Sequence, residues 1–499
     1  MNLYLHAFTP LCRLPFRVRD ILALSMLALY WAAFVTASPA SMQKSLVDDA
    51  YIFQRVVDNF WDGHGLTYNY DAMVNPITSP FYAFILAGAK VFPCAAPATI
   101  SFVYLSGLIA LGAGIYFGIR QYNRLLALTM AIFVSSASVP IRSWGMETST
   151  FMACIVFSIL AYTHGRYLTA GMFCAFTALS RPEGIALIGV LAGAHLLTER
   201  KLLWGMLTVF AATLTPWLLY SWATYGHIVP SSVSVKAIQH TIGWWRKQPS
   251  WLNFFLNQPL IPWVSYPLAA LGVFQAYRDF MNGHRFLLLI MAFGAIQVAA
   301  YSLLDAPVGY FWYLAPGNMA LDIAIVLGAF TLGQSIFGLF EANKALHVSA
   351  VIRAAFISVM VLVYMTKFAA APFSRLKPYR LGSEYRAAGE WIEQNTPGDF
   401  VVAATEIGYI GYFSKRRIRD IHGLLHPEAL PSLQKEEWDW WFKSNPPQVI
   451  VMHSPPWKGE PSGLPDWQSH SLQQFRDQYR RIISFRQVAV YQRQSTISD

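Results

Sequence analysis

The chain has 499 residues, 55% of them hydrophobic and only 13% charged, with a formal net charge of +10 and a mean hydropathy of +0.37. A soluble protein carries roughly 25% charged residues, so this composition excludes an ordinary water-soluble globule. The positive charge does not indicate nucleic acid: most Lys and Arg flank apolar runs, where membrane topology accounts for them, and no DNA- or RNA-binding motif is present.

A membrane span needs about 20 mostly apolar residues. Such runs predict an α-helical polytopic membrane protein of about 11 spans, at 21–38, 99–118, 125–140, 148–164, 168–180, 184–197, 202–223, 262–277, 286–304, 316–338 and 349–367. The first follows Arg13, Arg17, Arg19 and Asp20. It reads as a retained span rather than a signal peptide, because no clear small-x-small cleavage site stands apart and many spans follow. The run 79–92 is apolar but short and is expected to be re-entrant or partly embedded.

Lys and Arg prefer cytoplasmic loops. That rule places the N-terminus and the basic anchors (Arg120, Arg124, Arg166, Arg200, Lys201, Arg278, Arg285) on one side. The other side then receives Asp48 and Asp49, Arg142 with Glu147, Arg181 with Glu183, and the stretches 225–236 and 305–316. The chain divides into a membrane body, 1–368, and a tail, 381–499, of ordinary mixed charge. The tail reads as a small extracytoplasmic α/β domain, with helical spacing at 384–394 and short buried strands at 400–404, 449–452 and 488–491. Its indoles Trp438, Trp440, Trp441, Trp457 and Trp467 are expected at the membrane interface rather than under sugar faces. None of the four cysteines, Cys12, Cys94, Cys154 and Cys174, lies in the tail, and no metal-spaced cluster is present.

The chemistry-bearing segment begins Val47-Asp48-Asp49-Ala50-Tyr51-Ile52. It continues through Arg55, Asp62-Gly63-His64-Gly65-Leu66-Thr67-Tyr68-Asn69 and Asn75-Pro76 to Thr78-Ser79-Pro80. Adjacent carboxylates just beyond a span are costly unless solvated or used. One can take the proton of an attacking hydroxyl while its neighbour fixes a hydroxyl, a backbone or a cation. Taken alone, Asp-Asp reads more simply as a solvated loop start. Arg181-Pro182-Glu183-Gly184 is either a polar hairpin with a structural ion pair or part of a site. Glu147 either caps the helix that starts at Thr148 or lines the same site. Lys236, with Arg246 and Lys247, either snorkels to headgroups or meets a lipid phosphate. His64, between two glycines, reads more simply as a loop residue.

The extended pattern resembles the first extracytoplasmic loop of the GT-C superfamily of lipid-phosphate-sugar-dependent glycosyltransferases. The run from Asp48-Asp49-Ala50-Tyr51-Ile52 to Gly63-His64-Gly65-Leu66 and Tyr68-Asn69 is most similar to its arabinofuranosyltransferase branch. Further resemblances follow in order: Gly145-Met146-Glu147-Thr148, Ser180-Arg181-Pro182-Glu183-Gly184, Tyr225-Gly226 with Pro230 and Lys236, and Glu406-Ile407-Gly408-Tyr409-Ile410-Gly411-Tyr412-Phe413 with Arg416-Arg417 and Asp420. Two departures stand out: Tyr70 to Ile77 lacks the branch's Pro-Gly and Glu-Gly pairs, and Pro230-Ser231-Ser232 replaces its usual Pro-Asn-Thr.

The resemblance implies a GT-C-like fold in a bacterial cytoplasmic (inner) membrane, with the active site outside. It implies inverting transfer of a sugar, arabinofuranose by this branch, from a polyprenyl-phosphate donor to a glycan or protein acceptor. Asp49 and Asp48 are then the catalytic candidates, and Arg181, Lys236 and Arg55 the donor-phosphate cations. Glu147, Glu183, His64, Tyr51 and Asn69 are the substrate-binding candidates. No cofactor is implied, no metal ligand is assigned, and a divalent metal is left open. No nucleotide-sugar site or Gly-rich phosphate loop is visible. Two alternatives are a GT-C transferase using another lipid-linked sugar on lipopolysaccharide or protein, and a transporter or flippase of lipid-linked saccharide. A transporter commonly shows internal repeats, and none is seen.

Overall fold

The computed structural model describes residues 16–72, 74–242, 254, 262–303, 310–342, 376–443, 445–462 and 467–494. The predicted span 349–367 and the cations Arg246 and Lys247 lie outside the described residues. The body runs through α1 (Phe16–Ala37), α2 (Pro39–Lys44), α3 (Asp48–Trp61), α4 (Pro80–Ala89), α5 (Ala96–Ile119), α6 (Arg124–Ser135), α7 (Ser138–Arg142), α8 (Thr148–Thr163) and α9 (Tyr167–Ser180). It continues through α10 (Ala186–Glu199), α11 (Trp204–Tyr225), α12 (Ser231–Thr241), α13 (Pro262–Met281), α14 (Phe286–Leu303) and α15 (Ala315–Ala342).

Among the described residues, 6 helices are long and apolar enough to cross a membrane: Val18–Ala37, Ala96–Ile119, Arg124–Arg142, Trp204–Tyr225, Phe286–Leu303 and Phe311–Ile336. The protein is a multi-pass membrane protein. The predicted spans at 148–164, 168–180 and 184–197 are also helices, but of only 16, 14 and 14 residues. At a rise of 1.5 Å per residue they cover about 21–24 Å, less than the roughly 30 Å of a hydrocarbon core. Helix α4 has 10 residues, about 15 Å, half the roughly 30 Å of a hydrocarbon core.

Successive helices reverse direction, so the chain's polar residues sort to two ends. At one end Asp20 pairs with Arg120 at 2.7 Å and Arg124 at 3.6 Å, and Glu199 pairs with Arg285 at 2.8 Å. A separate set, Asp48, Arg142, Glu147 and Arg181, lies at the termini of α3, α7, α8 and α9. Small residues let the helices touch where lipid offers no hydrophobic drive. A Cβ at Gly272 of α13 would strike the Ala324 carbonyl of α15, and one at Gly328 would strike the Leu268 carbonyl.

The tail forms α16 (Gly382–Asn395), β1 (Val401–Ala404), α17 (Ile407–Ser414), β2 (Arg417–Asp420), α18 (Leu430–Gln434), β3 (Val449–His453), β4 (Tyr479–Phe485) and β5 (Val488–Arg493). The 5-stranded sheet has the order β2-β1-β3-β5-β4. Strand β1 pairs in parallel with β2 and β3, while β5 is antiparallel to β3 and β4. The carboxyl ends of β1, β2 and β3 therefore share one edge, which carries Glu406, His422 and His453. The strands expected at 400–404, 449–452 and 488–491 are present. Strands β2 and β4 escape a sequence reading because charged residues interrupt their apolar ones.

The expectation of an interfacial tryptophan belt is corrected. Trp438 and Trp441 are fully buried and Trp467 is 5% exposed. Trp441 and Trp467 pack with Phe442 and Tyr479 on one side of the sheet. Trp457 stacks on His453 with ring centroids 3.6 Å apart.

Candidate active site

Most of the Asp48–Asn69 segment builds a joint between body and tail. Asp48 opens α3, and its carboxylate accepts the backbone N–H groups of Gly408 and Tyr409, each at 2.7 Å. These are orphan donors in the first turn of α17, so Asp48 caps that helix from another part of the chain. The approach is close: a Cβ at Gly408 would strike the Asp48 carbonyl, and one at Gly411 would strike the Tyr68 hydroxyl. That explains the two glycines three residues apart in Glu406-Ile407-Gly408-Tyr409-Ile410-Gly411. Tyr68 Oη donates to the Ile407 carbonyl at 2.6 Å, and Tyr409 Oη to the Leu46 carbonyl at 2.9 Å. Buried residues of α1, α3, α4 and α5 merge with those of α16, α17, β1 and β3 into one apolar cluster.

Four of the sequence-predicted site residues, Asp48, Arg55, Asn69 and Tyr51, are placed in this joint. Arg55 is buried, with Nε donating to the Tyr68 carbonyl at 2.9 Å, Nη2 to the Arg416 carbonyl at 2.7 Å, and Nη1 to the Gly411 carbonyl. Each guanidinium nitrogen thus donates to a protein carbonyl. Asn69 clamps edge strand β2 as a further strand would, accepting the Ile418 N–H at 3.0 Å and donating to the Ile418 carbonyl at 2.8 Å. Tyr51 is buried among Tyr409, Tyr412 and Phe413, with centroids 4.5, 5.1 and 5.2 Å away. His64 stands on the exposed rim, tilted against Tyr70 at 5.7 Å.

Asp49 has a different setting. It is half-buried, with no hydrogen-bond or ion-pair partner among the described residues. Burial raises its carboxyl above the usual range, while the charges of Lys236 and Arg181 pull it back. Lys236 reaches in from α12 and donates to Tyr313 Oη at 3.0 Å. Its ammonium lies 5.2 Å from the Tyr310 ring and 5.6 Å from the Tyr313 ring. Burial works against that charge, yet Tyr313, Tyr310 and Asp49 hold Lys236 above the ordinary lysine range.

Arg181 comes from the end of α9. Its Nη1 meets Glu147 Oε1 and its Nε meets Glu183 Oε1, both at 2.5 Å, and the Tyr313 ring lies 4.7 Å from its guanidinium carbon. Gly145 adopts φ +94° just before Glu147, and a Cβ there would crowd Leu46 and Ala50. Asp49, Lys236, Arg181, Glu147 and Glu183 thus form one charged cluster; Arg55, Tyr51, Asn69 and His64 have other partners.

Sequence reasoning named the Glu406 motif but not Glu406 as a site residue. Glu406 follows β1, is half-buried, and accepts Tyr379 Oη at 3.2 Å. Burial, then Asp48 and Asp49, push its carboxyl well above the usual range. Tyr310 and Tyr313 were also missed, because nothing in a single sequence separates a site tyrosine from an interfacial one. Among the described residues, no His, Cys, Asp and Glu group is arranged to hold a metal ion.

Residues 377–497 match a family described as a domain of unknown function, DUF8728. No curated protein matches the chain. Among solved structures, the crystal structure of ArnT from Cupriavidus metallidurans bound to undecaprenyl phosphate aligns with a TM-score of 0.59 at 12% identity, covering 94% of this chain and 98% of that chain. The apo state of the same protein aligns with a TM-score of 0.61 at 13% identity, with the same coverage of 94% and 98%. At that identity the likeness establishes architecture: a GT-C-like helical membrane body with a small α/β domain at its C-terminus.

Proposed function

We propose that this protein is an inverting glycosyltransferase that moves a sugar from a polyprenyl-phosphate donor to an acceptor hydroxyl. One observation carries the reading: Asp49, a half-buried carboxylate with no hydrogen-bond or ion-pair partner among the described residues, lies within electrostatic reach of Lys236, a half-buried cation that donates to the Tyr313 hydroxyl. The similar fold of ArnT, crystallised with undecaprenyl phosphate, supports a prenyl-phosphate donor. Asp49 lies in the first turn of α3 rather than within a candidate span, which favours transfer over transport.

In this mechanism the acceptor O–H gives its proton to Asp49 as its oxygen attacks the anomeric carbon. The bond from that carbon to the phosphate oxygen breaks on the opposite face, and the phosphate leaves with the electron pair. Lys236 meets the charge that develops there; a fixed cation facing a developing anion is often what lowers a barrier most. A carboxylate raised by burial is a better base than an ordinary one. Arg181, shared between Glu147 and Glu183, shapes the field without standing as a free cation.

The finer reading is transfer of arabinofuranose to an envelope glycan or protein, with charged cluster and tail outside the bacterial cytoplasmic membrane. The resemblance of Asp48-Asp49-Ala50-Tyr51-Ile52 and Gly63-His64-Gly65-Leu66 to the arabinofuranosyl branch supports the sugar. The gathering of Arg120, Arg124 and Arg285 at the opposite end supports the orientation.

The test is purified protein in nanodiscs with synthetic prenyl-phosphate pentoses, other prenyl-phosphate sugars and candidate acceptors, read by product mass. Asp49→Asn is expected to insert and bind donor but transfer at least about a hundredfold more slowly. Near wild-type transfer by that variant would falsify Asp49 as base.

A further inference from the structure

Helix α12 has two buried sides. Val235, Ile238 and Ile242 pack against Ala429, Leu433 and Trp438 of the tail. At 100° per residue, Ser232 and Lys236 fall one turn apart on a different side, the one that turns toward Tyr313 and Asp49. Val233 and Ser234 make up the exposed side.

Ser232 is 8% exposed, and its hydroxyl has no hydrogen-bond partner among the described residues. An unsatisfied buried hydroxyl costs on the order of 1–3 kcal/mol, so a group that stays in one demands a partner. Helical side chains lean toward the N-terminus, which brings the Lys236 stem back over the turn that holds Ser232. Ser232 thus sits one turn before Lys236 on the same side of α12, and Tyr313 Oη, the oxygen that the ammonium meets, does not serve its hydroxyl. The same turn begins α12, whose first N–H groups and dipole favour an electron-rich oxygen.

We infer that Ser232 is a ligand-binding residue that, with Lys236, hydrogen-bonds the oxygen-rich head of the lipid-linked donor. This rests on the donor reading above and adds to it a neutral hydrogen-bonding group beside the cation. A phosphate oxygen and a sugar oxygen are the two sources of that chemistry. They differ in whether the contact persists when the sugar is removed from the lipid.

The experiment measures the affinity of full-length protein in nanodiscs for a prenyl phosphate and for the prenyl-phosphate pentose of the same chain length. Wild type, Ser232→Ala and Ser232→Thr are compared, each with its melting temperature in the absence of ligand. Ser232→Ala is expected to bind roughly fivefold more weakly, and Ser232→Thr, which keeps the hydroxyl, to bind as wild type. Weakening toward both probes assigns the contact to phosphate, and weakening toward the glycosylated probe alone assigns it to the sugar. The melting temperature of empty Ser232→Ala should hold or rise, since an unsatisfied hydroxyl has been removed. Unchanged affinity for both probes, or weakened binding that tracks a lower melting temperature, overturns the proposal. Wild type that binds neither probe sinks the donor reading itself, and this contact with it.

Discussion

The Asp48 carboxylate accepts the Tyr409 backbone N–H at 2.7 Å across 361 residues of chain. Its sequence neighbour, Asp49, faces Lys236 instead. Consecutive residues in the first turn of a helix point about 100° apart, so an adjacent pair can serve two tasks: one aspartate fastens the tail and the other joins the charged cluster.

Asp48→Asn should loosen the tail. An amide offers one oxygen where the carboxylate offers two, so one of the two buried N–H groups is left facing an NH2, a loss of about 1–3 kcal/mol. The pH dependence has a definite sign. Burial pushes Asp48 from 3.8 to about 7, against the two backbone donors and with help from Asp49. The folded state thus holds this proton more tightly than the unfolded chain. The stabilisation is full below the unfolded value and fades as pH rises through about 7. Melting temperature measured from pH 5 to 8 should fall for wild type, with a flatter slope for Asp48→Asn. Superimposable profiles would remove Asp48 from the joint.

Arg55→Lys should separate stability from donor handling. Lysine cannot reach three diverging carbonyls with one fork, so the joint around Gly411 and Arg416 loses charge-assisted bonds. Expected losses are on the order of 3 kcal/mol, seen as faster proteolytic cleavage between body and tail, with unchanged prenyl-phosphate affinity. A stable variant that no longer binds prenyl phosphate would return Arg55 to the phosphate site.

The helical body and the α/β tail were legible because their signals are one-dimensional: long apolar runs with basic flanks, and short apolar strands between polar turns. The charged cluster was legible only by residue type. Asp49, Lys236 and Arg181 could be named, but so could Arg55 and Asn69, whose partners lie about 350 residues away. Nothing local distinguishes an arginine that binds phosphate from one that binds carbonyls. Glycine spacing in Glu406-Ile407-Gly408-Tyr409-Ile410-Gly411 carried the missing clue. Two glycines on one helix face mark close backbone approach, hence a docking surface rather than a substrate loop.

Arg181→Ala is expected to destabilise the body more than it impairs donor binding. The guanidinium sits between Glu147 and Glu183 at 2.5 Å from each, and removing one partner of a buried pair costs about 3–5 kcal/mol because the other charge is stranded. Adding Glu147→Gln to Arg181→Ala should recover part of that loss, since one stranded carboxylate becomes neutral. The measurement is a double-mutant cycle on melting temperature. Additive losses would show that Arg181 and Glu147 are not coupled, and that Arg181 is available to the phosphate after all.

Lys236→Gln should move the acid limb of the transfer reaction. Asp49 must be ionised to take a proton, so transfer rises with pH through its raised pKa. Burial sets that rise, and the positive charge of Lys236 is the larger of the two effects that oppose it. Glutamine keeps a hydrogen-bonding side chain, one bond shorter, that carries no charge. With the charge gone, Asp49 loses its main electrostatic support and its carboxyl climbs further. The acid limb of kcat/KM should therefore shift to higher pH in the variant, while the plateau falls because the leaving phosphate has also lost its cation. The two effects separate: the plateau reports the phosphate contact, and the limb position reports the Lys236–Asp49 interaction. A reduced plateau with an unmoved limb would mean that the titrating base is another group, and Glu406 would be the next to test by Glu406→Gln. A limb that moved to lower pH would contradict the sign of the interaction itself.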